Sequence, residues 1–167
     1  MVTVTEDDEA AVLAARVPLP ESDKEALVLT LNRPVKRNCF DARLCRELAT
    51  AFRDAAEEVR SYDQDPIHDE DEDEEGDSDE DGGRRQKLAA IILTGAGSSF
   101  CAGADLSNPP NPLHQSSDLP HHLRWNPVHQ MGRVGVPIIG ALRGHVSLFS
   151  GWTLLLFAVR SWVVVAH

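Results

Sequence analysis

The chain has 167 residues, 42% of them apolar and 26% charged, with a formal net charge of −11. That is long enough for one domain with a hydrophobic core, and the composition excludes collagen, a disulfide scaffold and wholesale disorder. Of the 27 acidic residues, 13 lie between Asp63 and Asp81, where no Lys or Arg occurs. The remaining 16 basic and 14 acidic residues nearly cancel, so the acidity belongs to an insert and not to the folded part.

Residues 26 to 31, Ala-Leu-Val-Leu-Thr-Leu, form an apolar run halted by Asn32-Arg33-Pro34, which predicts a strand and then a turn. From Asp41 onward, Leu44, Leu48, Phe52, Ala55 and Val59 recur at steps of four, four, three and four, the stripe of an amphipathic helix. Asp41 suits its N-cap, and Arg43 with Glu47 and Arg53 with Glu57 stand four apart on exposed faces. Residues 63–83 are almost devoid of apolar side chains after Ile67 and are expected to be a disordered, solvated insertion. Carboxylates in such number would also suit basic partners or hard cations, although no EF-hand spacing is present.

Residues 88 to 94, Leu-Ala-Ala-Ile-Ile-Leu-Thr, predict a strand buried on both faces and closed by Gly95-Ala96-Gly97. The stretch 107–127 carries five prolines and three histidines with little periodicity, and reads as a loop with at most a short helical turn. His121 and His122 are adjacent and lack a completing Cys or Glu, so no metal site is expected. Residues 136 to 142, Val-Pro-Ile-Ile-Gly-Ala-Leu, give a third strand, closed by Gly144. Strands alternating with helix and loop are the order of an α/β fold with crossover connections. Residues 148–166 contain Arg160 as their single charge. Arginine, serines and a glycine within the run argue against a membrane span and for a buried helix followed by a strand at 162–165.

Three cysteines, Cys39, Cys45 and Cys101, form neither a disulfide framework nor a metal motif and suit a reducing compartment. The acidic, polar N-terminus lacks the features of a secretory or mitochondrial leader, and Val165-Ala166-His167 is not a peroxisomal address. The expected location is intracellular, cytoplasmic by default.

A small-residue turn, Ser99-Phe100-Cys101-Ala102-Gly103-Ala104-Asp105, follows the 88–94 strand. Such a turn lets a ligand approach the backbone and can present free N–H groups to a developing oxyanion, yet it is equally an ordinary strand exit. Four segments in order change its meaning: Leu29-Thr30-Leu31-Asn32-Arg33-Pro34 with Asn38, Ile92-Leu93-Thr94-Gly95-Ala96-Gly97, Phe100-Cys101-Ala102-Gly103-Ala104-Asp105-Leu106, and residues 137 to 145, Pro-Ile-Ile-Gly-Ala-Leu-Arg-Gly-His. Together they resemble the N-terminal part of the enoyl-CoA hydratase/isomerase family, the crotonase superfamily.

The resemblance implies one partial crotonase-like ββα-spiral domain over residues 1–167, α/β in class, incomplete at the C-terminus and interrupted by the acidic insert. It implies an acyl-CoA thioester as the partner, with CoA arriving as part of the substrate and no separate cofactor or metal. Neither nucleic acid nor a membrane is implied, while a homo-oligomer is compatible. Ala104 would donate one oxyanion-hole N–H, and Ser150, in the turn after Gly144, the second. Ala102 and Gly103 would line the thioester, and Lys36, Arg37 and Asn38 the adenine and phosphate end of CoA. Asp105 matches a structural aspartate of the family. Where family members often carry consecutive glycines and a glutamate, residues 145 to 156 read His-Val-Ser-Leu-Phe-Ser-Gly-Trp-Thr-Leu-Leu-Leu. Hydratase or isomerase chemistry is therefore one expectation, and a truncated, non-catalytic CoA-binding or protein-interaction fragment is the other.

Overall fold

The computed structural model describes residues 10–63, 87–105, 107, 124–146 and 162–166. The acidic segment beyond Asp63, His114, His121 and His122, Ser150 and the apolar run 148–161 lie outside the described residues. Among the described residues, no helix is long and apolar enough to cross a membrane.

The elements in chain order are β1 (Val12–Pro18), β2 (Glu25–Leu31), a 3-10 turn (Pro34–Lys36), α1 (Ala42–Asp63), β3 (Leu88–Gly95), β4 (Ser99–Cys101), α2 (Pro127–Met131), β5 (Ile138–Leu142), β6 (His145–Val146) and β7 (Trp162–Ala166). One sheet has the order β1-β2-β3-β5-β7, and β4 and β6 form a separate parallel pair. β1 runs antiparallel to β2, whereas the β2–β3, β3–β5 and β5–β7 pairs are parallel. Parallel neighbours require crossovers, and α1 lies on the first of them.

The helix begins where the sequence places it. Asp41 Oδ1 accepts the Leu44 N–H at 2.8 Å, an N-cap bond to the third helical residue. Leu44, Leu48 and Phe52 are fully buried, with Ala55 and Val59 nearly so. They pack with Leu29, Leu31, Ile91 and Leu93 into one core between α1 and the sheet. The expected Arg43–Glu47 pair forms at 2.9 Å, and Glu47 also accepts the Val12 N–H at 2.9 Å, which ties β1 to the helix.

Two features differ from the sequence reading. β1 was not apparent in the sequence, because every residue after Val12 is exposed and the strand exists through pairing along the edge of β2. β3 is buried on one face and not both: Ile91 and Leu93 are inaccessible, while Ala90 and Ile92 on the opposite face are half-buried. Among the described residues, α1 covers only the first of these faces.

Truncating the core at its largest helical side chain, Phe52→Ala, is expected to lower stability by about 3–5 kcal/mol through lost burial and a residual cavity. Urea denaturation of the two chains, read by the shift in midpoint at constant slope, measures it.

Candidate active site

The site is built where the exit of β2 meets the exit of β4. After Leu31 the chain makes a 3-10 turn and passes through two consecutive residues with left-handed backbone, Arg37 (φ 49°) and Asn38 (φ 55°). Asn tolerates this region better than most residues because its short amide can bond locally. The Asn38 side chain is inaccessible to solvent, and all of its hydrogen-bonding groups are engaged. Its oxygen accepts the Arg33 N–H at 2.8 Å, and its amide nitrogen donates to the carbonyls of Ala96 (2.9 Å) and Ser99 (2.7 Å).

Gly95 makes this brace sterically feasible. A Cβ there would lie 2.5 Å from the carbonyl oxygens of both Ser99 and Phe100, and 2.8 Å from Asn38 Nδ2. Gly144 is required for a similar reason, since its φ is +67° and a Cβ would approach the Ser98 carbonyl oxygen to 1.9 Å.

The segment 37–40 then pairs with residues 102–105. Ala102 N donates to Arg37 O at 2.9 Å, Phe40 N to Gly103 O at 2.7 Å, and Asp105 N to Phe40 O at 2.8 Å. The last two bonds are a parallel bridge between Phe40 and Ala104. In such a bridge the flanking residues of one segment supply both bonds, so the central residue's own N–H and C=O face the other way. Ala104 is that central residue, and its N–H has no hydrogen-bond partner among the described residues.

Charge fixes the turn from beneath. Arg33 Nη2 lies 3.1 Å from Asp41 Oδ2 and 3.2 Å from Asp105 Oδ2, while Nη1 donates to the Cys39 carbonyl at 2.6 Å. Asp105 is buried, and its other oxygen accepts from the Ser107 hydroxyl at 2.5 Å and the Ser107 N–H at 3.0 Å. The Ser107 hydroxyl is the main influence holding the Asp105 carboxyl below its ordinary range, against the opposing effect of burial; the Ser107 N–H and Arg33 add to it. Asp105 is thus an ionised structural anchor, unsuited to take up a proton near neutrality.

The cysteines beside this turn are free. Burial pushes the thiols of Cys45 and Cys101 up to about 12 and raises that of Cys39. Cys101 therefore remains a thiol at neutral pH and lacks the thiolate character of a nucleophile.

Of the residues singled out from sequence, the structure brings Lys36, Arg37 and Asn38 beside Ala102, Gly103 and Ala104. Lys36 and Arg37 are exposed, whereas Asn38 is turned inward and saturated by backbone groups. That geometry makes Asn38 a brace and leaves no amide group to contact CoA. Ser150 lies outside the described residues. Sequence reasoning missed Arg33 and Ser107 as parts of the site. Arg33 carried a signal, as a cation fixed between Asn32 and Pro34, but its two carboxylate partners are brought to it only by the fold.

No family model matches the chain. Among curated proteins, a probable peroxisomal enoyl-CoA hydratase of Arabidopsis thaliana is 31% identical over 129 residues, covering 77% of this chain and 37% of that protein. A probable enoyl-CoA hydratase of Mycobacterium bovis is 32% identical over 119 residues, covering 71% and 35%. The chain thus spans little more than a third of the length of these relatives. The crystal structure of an enoyl-CoA hydratase from Mycobacterium smegmatis superposes with a TM-score of 0.58 at 21% identity, covering 93% of this chain and 48% of that one, a likeness of fold. The fold and the turn define a crotonase-type α/β protein. The chain belongs to the enoyl-CoA hydratase/isomerase, or crotonase, superfamily.

Two outcomes test the anchoring. Asn38→Ala removes three hydrogen bonds and leaves the buried Ser99 carbonyl and the half-buried Ala96 carbonyl without their donor, so a loss of roughly 3 kcal/mol is expected in chemical denaturation. Because the carboxyl pKa of Asp105 is lower folded than unfolded, its stabilising contribution is present above the ordinary carboxylate range. It disappears as pH falls from about 5 through the lowered folded value. Stability measured against pH should lose part of its acid dependence in Asp105→Asn.

Proposed function

We propose that the chain binds an acyl-CoA thioester and uses the Ala104 N–H to hold the thioester oxygen as it takes on enolate character. The carrying observation is the orientation of that N–H, directed away from the Phe40 bridge in a turn pinned at Phe40, Arg37 and Asp105. A thioester enolate concentrates charge on one oxygen, and a fixed backbone dipole stabilises it without reorganising. The family membership and the names of the relatives supply the thioester; Ala102 and Gly103 line its approach. Lys36 and Arg37, exposed on the adjoining turn, supply cations for the phosphate end of CoA. Ser150 is the second donor in this reading, and no metal or separate cofactor enters.

A second reading is thioester binding with little or no turnover. It is favoured by the state of Asp105, the carboxylate adjoining Ala104, which is committed to Arg33 and Ser107. Hydration and double-bond migration both need a positioned proton carrier, which that carboxylate does not provide.

Calorimetric titration with an acyl-CoA beside a hydration assay tests both. Ala104→Pro deletes the donor and should abolish binding, whereas Ala104→Val keeps the N–H and should retain most of it. Equal affinity in the proline variant, with an unchanged melt, would refute the role of Ala104. Robust hydration by the purified chain would refute the second reading.

A further inference from the structure

A separate cluster of charge lies on the far half of α1, away from the Ala104 turn. A polar basin of about 580 Å³ is formed between the last turns of α1 and the α2 region, lined by Arg53, Arg60, Arg124 and Arg133 together with Asp54 and Glu57. Four guanidinium groups face two carboxylates there, and those carboxylates are 63% exposed. The pairing is loose: Arg53 approaches Asp54 at 3.5 Å and Glu57 at 3.9 Å. Arg53 Nη1 is shielded from solvent and has no hydrogen-bond partner among the described residues. The side chains of Arg60, Arg124 and Arg133 likewise have no ion-pair partner among them.

The arginines are also oriented. The Trp125 ring lies 5.9 Å from the Arg53 guanidinium carbon and 5.3 Å from that of Arg124, so one aromatic plane positions two planar forks. An unpaired N–H shielded from water costs free energy until an acceptor reaches it, and converging arginine forks suit closely spaced anionic oxygens. We propose that this basin is a binding site for a multivalent oxyanion. The shared chemistry is a group of adjacent carboxylate or phosphate oxygens. Two sources carry it: a free phosphate-type anion, or the chain's own run of Asp and Glu at 69–81, which follows Arg60 closely in the sequence.

The probe is inorganic pyrophosphate, titrated by calorimetry into the full chain and into a chain with every Asp and Glu of 69–81 replaced by Asn or Gln. Arg60 and Arg133 are exposed, so Arg60→Gln with Arg133→Gln removes two forks without disturbing the core. That double variant should weaken binding at least about tenfold at low salt, a difference that shrinks as ionic strength rises. Arg46→Gln, a lost charge on the β1-facing side of α1, should change it little. Binding that tightens about tenfold or more in the neutralised chain identifies the chain's own carboxylates as the occupant. Equal binding in both chains identifies a free anion, and either result supports the site. Failure of both chains to bind pyrophosphate, or equal loss in Arg46→Gln and the double variant, overturns it.

Discussion

Asp41 and Asp105 each place a carboxylate oxygen within about 3.2 Å of the same nitrogen of Arg33. Both side chains are largely buried, so without the guanidinium two negative charges would face each other in a poorly solvated space. Asp41 is at the same time the N-cap of α1, and Asp105 supplies the N–H that closes the Phe40 bridge. One cation therefore fixes the start of the principal helix, the exit of β2 and the turn carrying Ala104. Substitution of Arg33 would loosen all three together, which separates it from a surface ion pair of small net effect.

Rigidity of the Ala104 turn comes from distribution of these ties over backbone and side chain. Asn38 holds the exit of β3 and the start of β4 together through two carbonyls, and Arg143 donates to the Gly97 carbonyl in the connection between them at 2.5 Å. An unpaired N–H is useful to a developing oxyanion only when it does not swing toward another acceptor. The three backbone bonds around Ala104 restrain that movement, and the proposed chemistry needs no mobile element to assemble the donor.

The sequence was most legible where periodicity is long. α1 runs for 22 residues, long enough for an apolar stripe to repeat over about four turns, and each stripe residue from Leu44 to Val59 is buried. β2, β3 and β5 were legible as apolar runs bounded by Pro or Gly, and the strand expected at 162–165 is β7, at Trp162–Ala166. β4 and β6, three and two residues long, are too short for any pattern, and β1 has no buried face to impose one. The location of the site was legible through its motifs, while the role of Asn38 was not. An exposed amide and a saturated one look alike in sequence, and only the fold shows which carbonyls surround it.

The deep burial of Cys45 and Cys101 has a kinetic meaning as well as a static one. With both thiols pushed to about 12, and with Cys101 in the strand that leads into the Ala104 turn, neither is open to an alkylating reagent in the closed molecule. Their modification must wait for a local opening of the structure. Thiol labelling therefore acts as an internal clock: Cys101 times the breathing of the Ala104 turn, and Cys45 the detachment of α1 from the sheet.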